Sequence, residues 1–161
     1  MTNDVLSKFS RDCLADAGWT KVRRIDIGPH VRQLEADGYT VFEVAQEFLT
    51  RFGGLRLKYP HFRVPEHDDS CHFDAAAASR RISKYTVARY AEAIGKPVCP
   101  VGAAFHDHMV LMMTERGIVY AAFEDALIHL AESPIDMINN LCEGRDSHEY
   151  IPLPHWTADR K

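Results

Sequence analysis

VCPVGAAFHDHMVLMMTERGIVYAAF, residues 98–123, breaks into three apolar runs at two short polar joints, His106-Asp107-His108 and Glu115-Arg116-Gly117. The runs Val98 to Phe105, Met109 to Thr114 and Ile118 to Phe123 have strand length and the joints have hairpin length, so the stretch predicts a three-stranded antiparallel meander. Pro100 inside the first run marks an edge or a bulge, because proline has no N–H to give to a ladder. An edge at that point would lie beside a partner groove.

Downstream, Leu127 to Ala131 is a further candidate strand, and Ser133-Pro134 caps a helix carrying Ile135, Ile138, Leu141 and Cys142 until Gly144. Beyond it the tail, 146–161, reads as irregular, which leaves 1–145 as a single domain. Upstream the period changes from two to about 3.6. Val5, Leu6, Phe9, Cys13, Leu14 and Ala17 make an amphipathic helix capped by Asn3 or Asp4 and ended by Gly18; Val31, Leu34 and Ala36 make a short one behind Pro29. Val41 to Phe52 makes a third, stopped by Gly53-Gly54, after which Leu55, Leu57 and Tyr59 alternate with Arg56 and Lys58 as a half-exposed strand. Residues 60–78 are mixed, with Cys71 to Phe73 a short strand. Val87, Ala88, Tyr90, Ala91 and Ile94 then give a helix that the basic stretch Ser79 to Lys84 opens and Gly95 closes. Helices first and a strand meander later, without a repeating strand-helix-strand rhythm, predict an α+β domain: a mainly meander antiparallel sheet with helices packed around it.

The chain has 161 residues, 46% hydrophobic and 26% charged, enough to bury a core without metal or disulfides. Its formal net charge of -4 lacks the basic excess that phosphate neutralisation requires, so nucleic acid is not an expected partner. The four cysteines, Cys13, Cys71, Cys99 and Cys142, form no C-x-x-C pair and are expected to be free core thiols in a reducing cytoplasm. Met1 to Phe9 holds no apolar run of signal-peptide or membrane-span length, so no membrane partner is expected.

Two clusters invite a search for chemistry. His106-Asp107-His108 offers two imidazoles and a carboxylate, and Glu66-His67-Asp68-Asp69-Ser70-Cys71-His72 adds carboxylates, a thiol and two more imidazoles. A zinc site needs four ligands in a tetrahedron. Neither cluster has a partner at a recognised spacing, so both are expected to be polar turns, with no metal and no cofactor. The deaminase pattern of H-x-E followed by P-C-x-x-C is absent, as are G-x-S-x-G, H-E-x-x-H and a phosphate-binding loop. The expectation is a binding protein and not an enzyme.

Short motifs then occur in a definite order: Gly18-Trp19 with Arg23, Phe48-Leu49, Phe52-Gly53-Gly54-Leu55, Phe73-Asp74, Pro100-Val101-Gly102, Gly117-Ile118-Val119-Tyr120, and Leu141 ahead of Gly144. Together, from about Phe9 to Gly144, the chain resembles the SUKH-3 immunity family. The resemblance implies a SUKH-type α+β fold and an immunity protein that binds and neutralises a cognate bacterial toxin, often a nucleic-acid deaminase or nuclease, with no catalytic residues of its own. The motif residues themselves are expected to be structural, with Trp19 pinning the first helix to the sheet. Carboxylates Glu66, Asp68, Asp69 and Asp107 are expected to answer a basic toxin surface, and Tyr59, Phe62 and Trp156 to anchor it. The oligomeric expectation is a monomer or weak homodimer. A general regulatory or scaffold module is the runner-up, and a small metal-dependent hydrolase using the His67 to His72 loop with His106 and His108 is the third reading.

Overall fold

In the computed structural model, which describes residues 5–61, 63–145 and 149–153, the predicted meander forms the middle of a larger sheet. Strands β1 (Arg56–Pro60), β2 (Asp68–His72), β3 (Val98–Ala104), β4 (Met109–Thr114), β5 (Val119–Phe123), β6 (Ala126–Ala131) and β7 (Glu149–Tyr150) lie side by side in chain order. Every neighbouring pair is antiparallel. The fold is therefore α+β, as the sequence predicts. All of β3 and nearly all of β4 are buried, because both faces of the sheet are covered there, and this is why those strands read as continuous apolar runs. The tail is not wholly irregular. Glu149 and Tyr150 pair with His129 and Ile128, and the Ile151 N–H donates to the Leu127 carbonyl.

Pro100 sits at a register shift between itself and Gly102, so the bulge reading holds. Strand β2 reaches β3 only at Ala103 and Ala104, which leaves β3 without a strand neighbour on that side of Pro100. Pro100 and Val101 are nonetheless buried, so no partner groove opens beside them.

Six helices complete the described residues: α1 (Lys8–Asp16), α2 (Gly28–Ala36), α3 (Glu43–Phe52), α4 (Ala75–Arg81), α5 (Lys84–Ile94) and α6 (Pro134–Glu143). Helix α1 starts later than its apolar spacing suggests, because Ser7 supplies the cap by accepting from the Ser10 N–H. Helix α4 departs most from the expected mixed segment. Asp74 accepts the Ala77 N–H at 3.0 Å and is followed by four alanines, a capped run of the best helix former. The basic stretch accordingly ends α4 instead of opening α5. Ile82 is extended, and Ser83 starts the next helix by accepting the Thr86 N–H.

Helices α1 and α6 pack together over one face of the sheet, and α6 touches both β1 and β6, so the sheet curls until strands near its two ends converge on one helix. Between these helices and the sheet lie the free, buried thiols of Cys13 on α1, Cys142 on α6 and Cys71 on β2. Helix α4 covers β3, with α2 outside it.

The motifs that carry the family resemblance meet at one joint. Arg23 donates to the Arg51 and Gly53 carbonyls at 2.9 and 2.8 Å, neutralising the C-terminal end of α3 with a cation. Trp19 stacks on Phe52 with ring centroids 5.6 Å apart, so it pins the end of α1 to α3 and not to the sheet. Gly54 donates to the Phe73 carbonyl and Phe73 to that of Leu55, extending the β1–β2 ladder. Gly102 lies directly under the His72 and Phe73 backbone. Elsewhere Gly117 closes a hairpin at φ 89° against Val44 and Pro134, and Gly144 ends α6 at φ 63°.

Candidate partner-binding groove

On the α4 side, the sheet presents one row of residues paired straight across it: Arg56, His72, Ala103, Val110 and Ala122. Three of the five are small. The alanines of α4 let that helix settle against β3, whereas α5 is held farther along the sheet, where the Tyr90 hydroxyl donates to the Glu124 carbonyl at 2.9 Å. Small floor residues under diverging helices leave an open groove of about 530 Å³. Tyr85 of α5 and Phe123 at the end of β5 both line it and are 63% and 46% exposed, unusual for large apolar side chains that line a concavity.

The β3–β4 hairpin forms the polar end. Phe105, His106 and Asp107 all have positive φ, at 56°, 56° and 67°. Three consecutive left-handed residues other than glycine are costly and need to be held in place. The holding contacts come from β2: the His106 N–H donates to the Ser70 carbonyl at 3.2 Å, and its ring lies 2.7 Å from the Asp68 carbonyl and 3.4 Å from the Ser70 hydroxyl.

So fixed, Asp107 takes both Arg56 guanidinium nitrogens at 3.2 Å, with Arg81 at 4.0 Å and His72 Nε2 at 3.8 Å. Burial by itself would raise the Asp107 pKa, but the Arg56 hydrogen bonds and the charges of Arg56, of His72 once it is protonated in acid, and of Arg81 outweigh it and hold the carboxyl below its ordinary value. Two guanidiniums thus share one carboxylate. His72 accepts the Asp74 N–H on Nδ1 at 3.0 Å, which puts its proton on Nε2, facing Asp107. Burial lowers the His72 pKa more than Asp107 raises it, so the ring is neutral at neutral pH. With Nδ1 taken by the Asp74 N–H and Nε2 turned toward the Asp107 carboxylate, this arrangement is suited to holding a ligand.

The residues singled out in the sequence do not gather into one patch. Glu66 and Asp68 are exposed at the start of β2, where Asp68 is 3.9 Å from Lys58. Asp69 and Tyr59 are buried, with Asp69 accepting the Ser70 N–H at 2.8 Å and Tyr59 under α6, so neither has a surface to give a partner. Asp107 does reach the groove, but its charge already serves Arg56. Phe62 and Trp156 lie outside the described residues. The two histidine clusters adjoin through His106, yet among the described residues no group of three or more His, Cys, Asp or Glu is placed to hold a metal. Arg56, Arg81, Tyr85 and Phe123 were missed. The available signal was phase: Tyr85 falls off the α5 core spacing that Val87 and Tyr90 share.

Among the described residues, no helix is long and apolar enough to cross a membrane. No curated protein and no solved structure matches the chain. The family of SUKH-3 immunity proteins does match, over residues 7–144, which take in α1 through α6, the groove and every motif described above. The chain belongs to the SUKH-3 immunity protein family.

Proposed function

We propose that this immunity protein neutralises its cognate toxin, a nucleic-acid deaminase or nuclease, by covering the toxin's active site or substrate surface, and that it docks through the groove face. The exposed pair Tyr85 and Phe123 across a formed concavity carries this reading. Aromatic and arginine side chains around a pocket are the usual anchors of protein interfaces, and a stable one needs about 800 Å² from each partner. The net charge of -4, with Glu66 and Asp68 exposed, draws a basic toxin from a distance. Neutralisation requires no chemistry by the protein, no cofactor and no metal. It acts in the cytoplasm, before the toxin turns over, as a monomer or weak homodimer.

Calorimetric titration against the inactivated toxin domain encoded beside its gene, with an activity assay on the active form, tests the reading. One-to-one nanomolar binding that abolishes activity is expected, weakened about tenfold or more by Tyr85→Ala or Phe123→Ala. A folded toxin domain that does not bind would overturn the immunity role. Full binding by both variants would move the docking surface elsewhere.

A further inference from the structure

We propose that the groove accepts from its protein partner a carboxylate next to a large apolar side chain, an acidic-aromatic segment, although the protein as a whole is acidic. The inference rests on the groove face being the docking surface. Ala103, Val110 and Ala122, with Tyr85 and Phe123, give the groove apolar lining, and about 530 Å³ holds an aromatic side chain with its neighbour.

The sign of the polar end follows from counting its fixed charges. Arg56 and Arg81 converge on Asp107 with side chains 51% and 65% exposed, and Arg89 and Glu124 also line the groove, so three guanidiniums stand against two carboxylates. Arg56 spends both nitrogens of its fork on Asp107, whereas Arg81 reaches it only at 4.0 Å, so the Arg81 fork can take a second carboxylate without breaking an existing bidentate pair. Neutral His72 adds no charge of its own. A lysine or arginine from the partner would instead meet three guanidiniums that outnumber the carboxylates of Asp107 and Glu124. The three left-handed residues of the hairpin hold Asp107, and through it Arg56, in place before a partner arrives, so little ordering is left for binding.

The test uses the full chain, labelled with nitrogen-15 and followed by amide chemical shifts. The probes are the blocked dipeptides N-acetyl-Asp-Phe-amide and N-acetyl-Lys-Phe-amide, with thymidine monophosphate as a third. The Asp-Phe probe should shift amides in 81–90, 103–110 and 122–124 and bind about tenfold tighter than the Lys-Phe probe. Arg81→Ala should erase that preference while leaving the apolar contact, and Ala122→Leu, which fills the floor, should weaken both dipeptides. Equal binding of the two dipeptides, shifts confined to another face, or tighter binding of the nucleotide would overturn the proposal. Titration of the toxin separates the two levels of inference. Wild-type protein that fails to bind it sinks the immunity reading, whereas unchanged toxin affinity in Arg81→Glu and Ala122→Leu sinks the groove proposal and spares immunity.

Discussion

Gly102→Ala adds one methyl group where two backbones touch. The new Cβ would lie well inside contact distance of the His72 carbonyl oxygen, and 3.0 Å from both the His72 carbonyl carbon and Phe73 Cα, where ordinary contact begins at 3.4 Å. None of these atoms is the end of a flexible side chain. Strands β2 and β3 must part beside their only two paired positions, Cys71 with Ala104 and His72 with Ala103. Overpacking typically costs 1–3 kcal/mol, and rigid neighbours put this case at about 3 kcal/mol, or roughly 6–12 °C in Tm for a chain of this size. Gly95→Ala is the control, since its φ of 86° is left-handed but nothing lies within 4 Å. It should cost about 1–2 kcal/mol from backbone conformation alone. Both variants stiffen the unfolded chain alike, so that contribution cancels in the comparison. Urea unfolding, with the slope m checked for constancy, reads both. A Gly102→Ala cost no greater than that of Gly95→Ala would refute the close approach of β2 and β3.

Arg23→Ala should cost about 2 kcal/mol by uncapping α3 at the Arg51 and Gly53 carbonyls, and should alter the near-ultraviolet dichroism of Trp19 stacked on Phe52. Asp74→Ala removes the α4 cap and should cost about 1 kcal/mol in urea unfolding. Asp107→Asn should cost about 1 kcal/mol at pH 7, a modest figure because Arg56 is half exposed; the lowered carboxyl pKa makes this contribution complete above the unfolded value of about 3.9 and lost as pH falls through the folded one, so wild type and variant should converge in acid, below that folded value. His72 also has a lowered pKa, so the unfolded chain binds its proton first and stability should decline as pH falls below about 6.5; His72→Gln, which keeps an acceptor for the Asp74 N–H, should flatten that decline in thermal melts between pH 7 and 5.

The fold was readable where one local signal dominated. Continuous apolar runs with hairpin joints gave β3, β4 and β5, and glycine stops gave the ends of α3, α5 and α6. Helix α4 carries its signal too, in Asp74 and the alanines after it, but the prolines upstream make 60–78 read as mixed and the basic run downstream reads as the opening of α5. Strand β2 was misjudged because Asp68, Asp69 and Ser70 look like a turn; Asp69 is buried there by the local bond it makes to Ser70, which no periodicity announces. The groove was not readable. Its floor, Ala103, Val110 and Ala122, is part of a row across five strands, and Arg56 and Arg81 are residues 25 positions apart that meet through Asp107 on a third element. The motifs could not have pointed to it, because Trp19, Arg23, Gly53, Phe73 and Gly102 are spent on the joint that holds α3 against the sheet. They identify the scaffold, and the contact chemistry lies in other residues.

Net charge says little about the groove, because composition averages over place. A sum of -4 sets the field felt beyond about 8–10 Å, the screening length in physiological salt, and so bears on how fast a basic partner arrives. Within contact distance the nearest fixed charges decide, and at the mouth of the groove these are Arg56 and Arg81 around one carboxylate. Attraction at long range and selection at short range can therefore carry opposite signs on one surface. Under the proposed docking mode the division is useful: an acidic field speeds encounter with a basic toxin surface, while a groove that disfavours lysine and arginine at contact keeps other basic proteins from occupying the site.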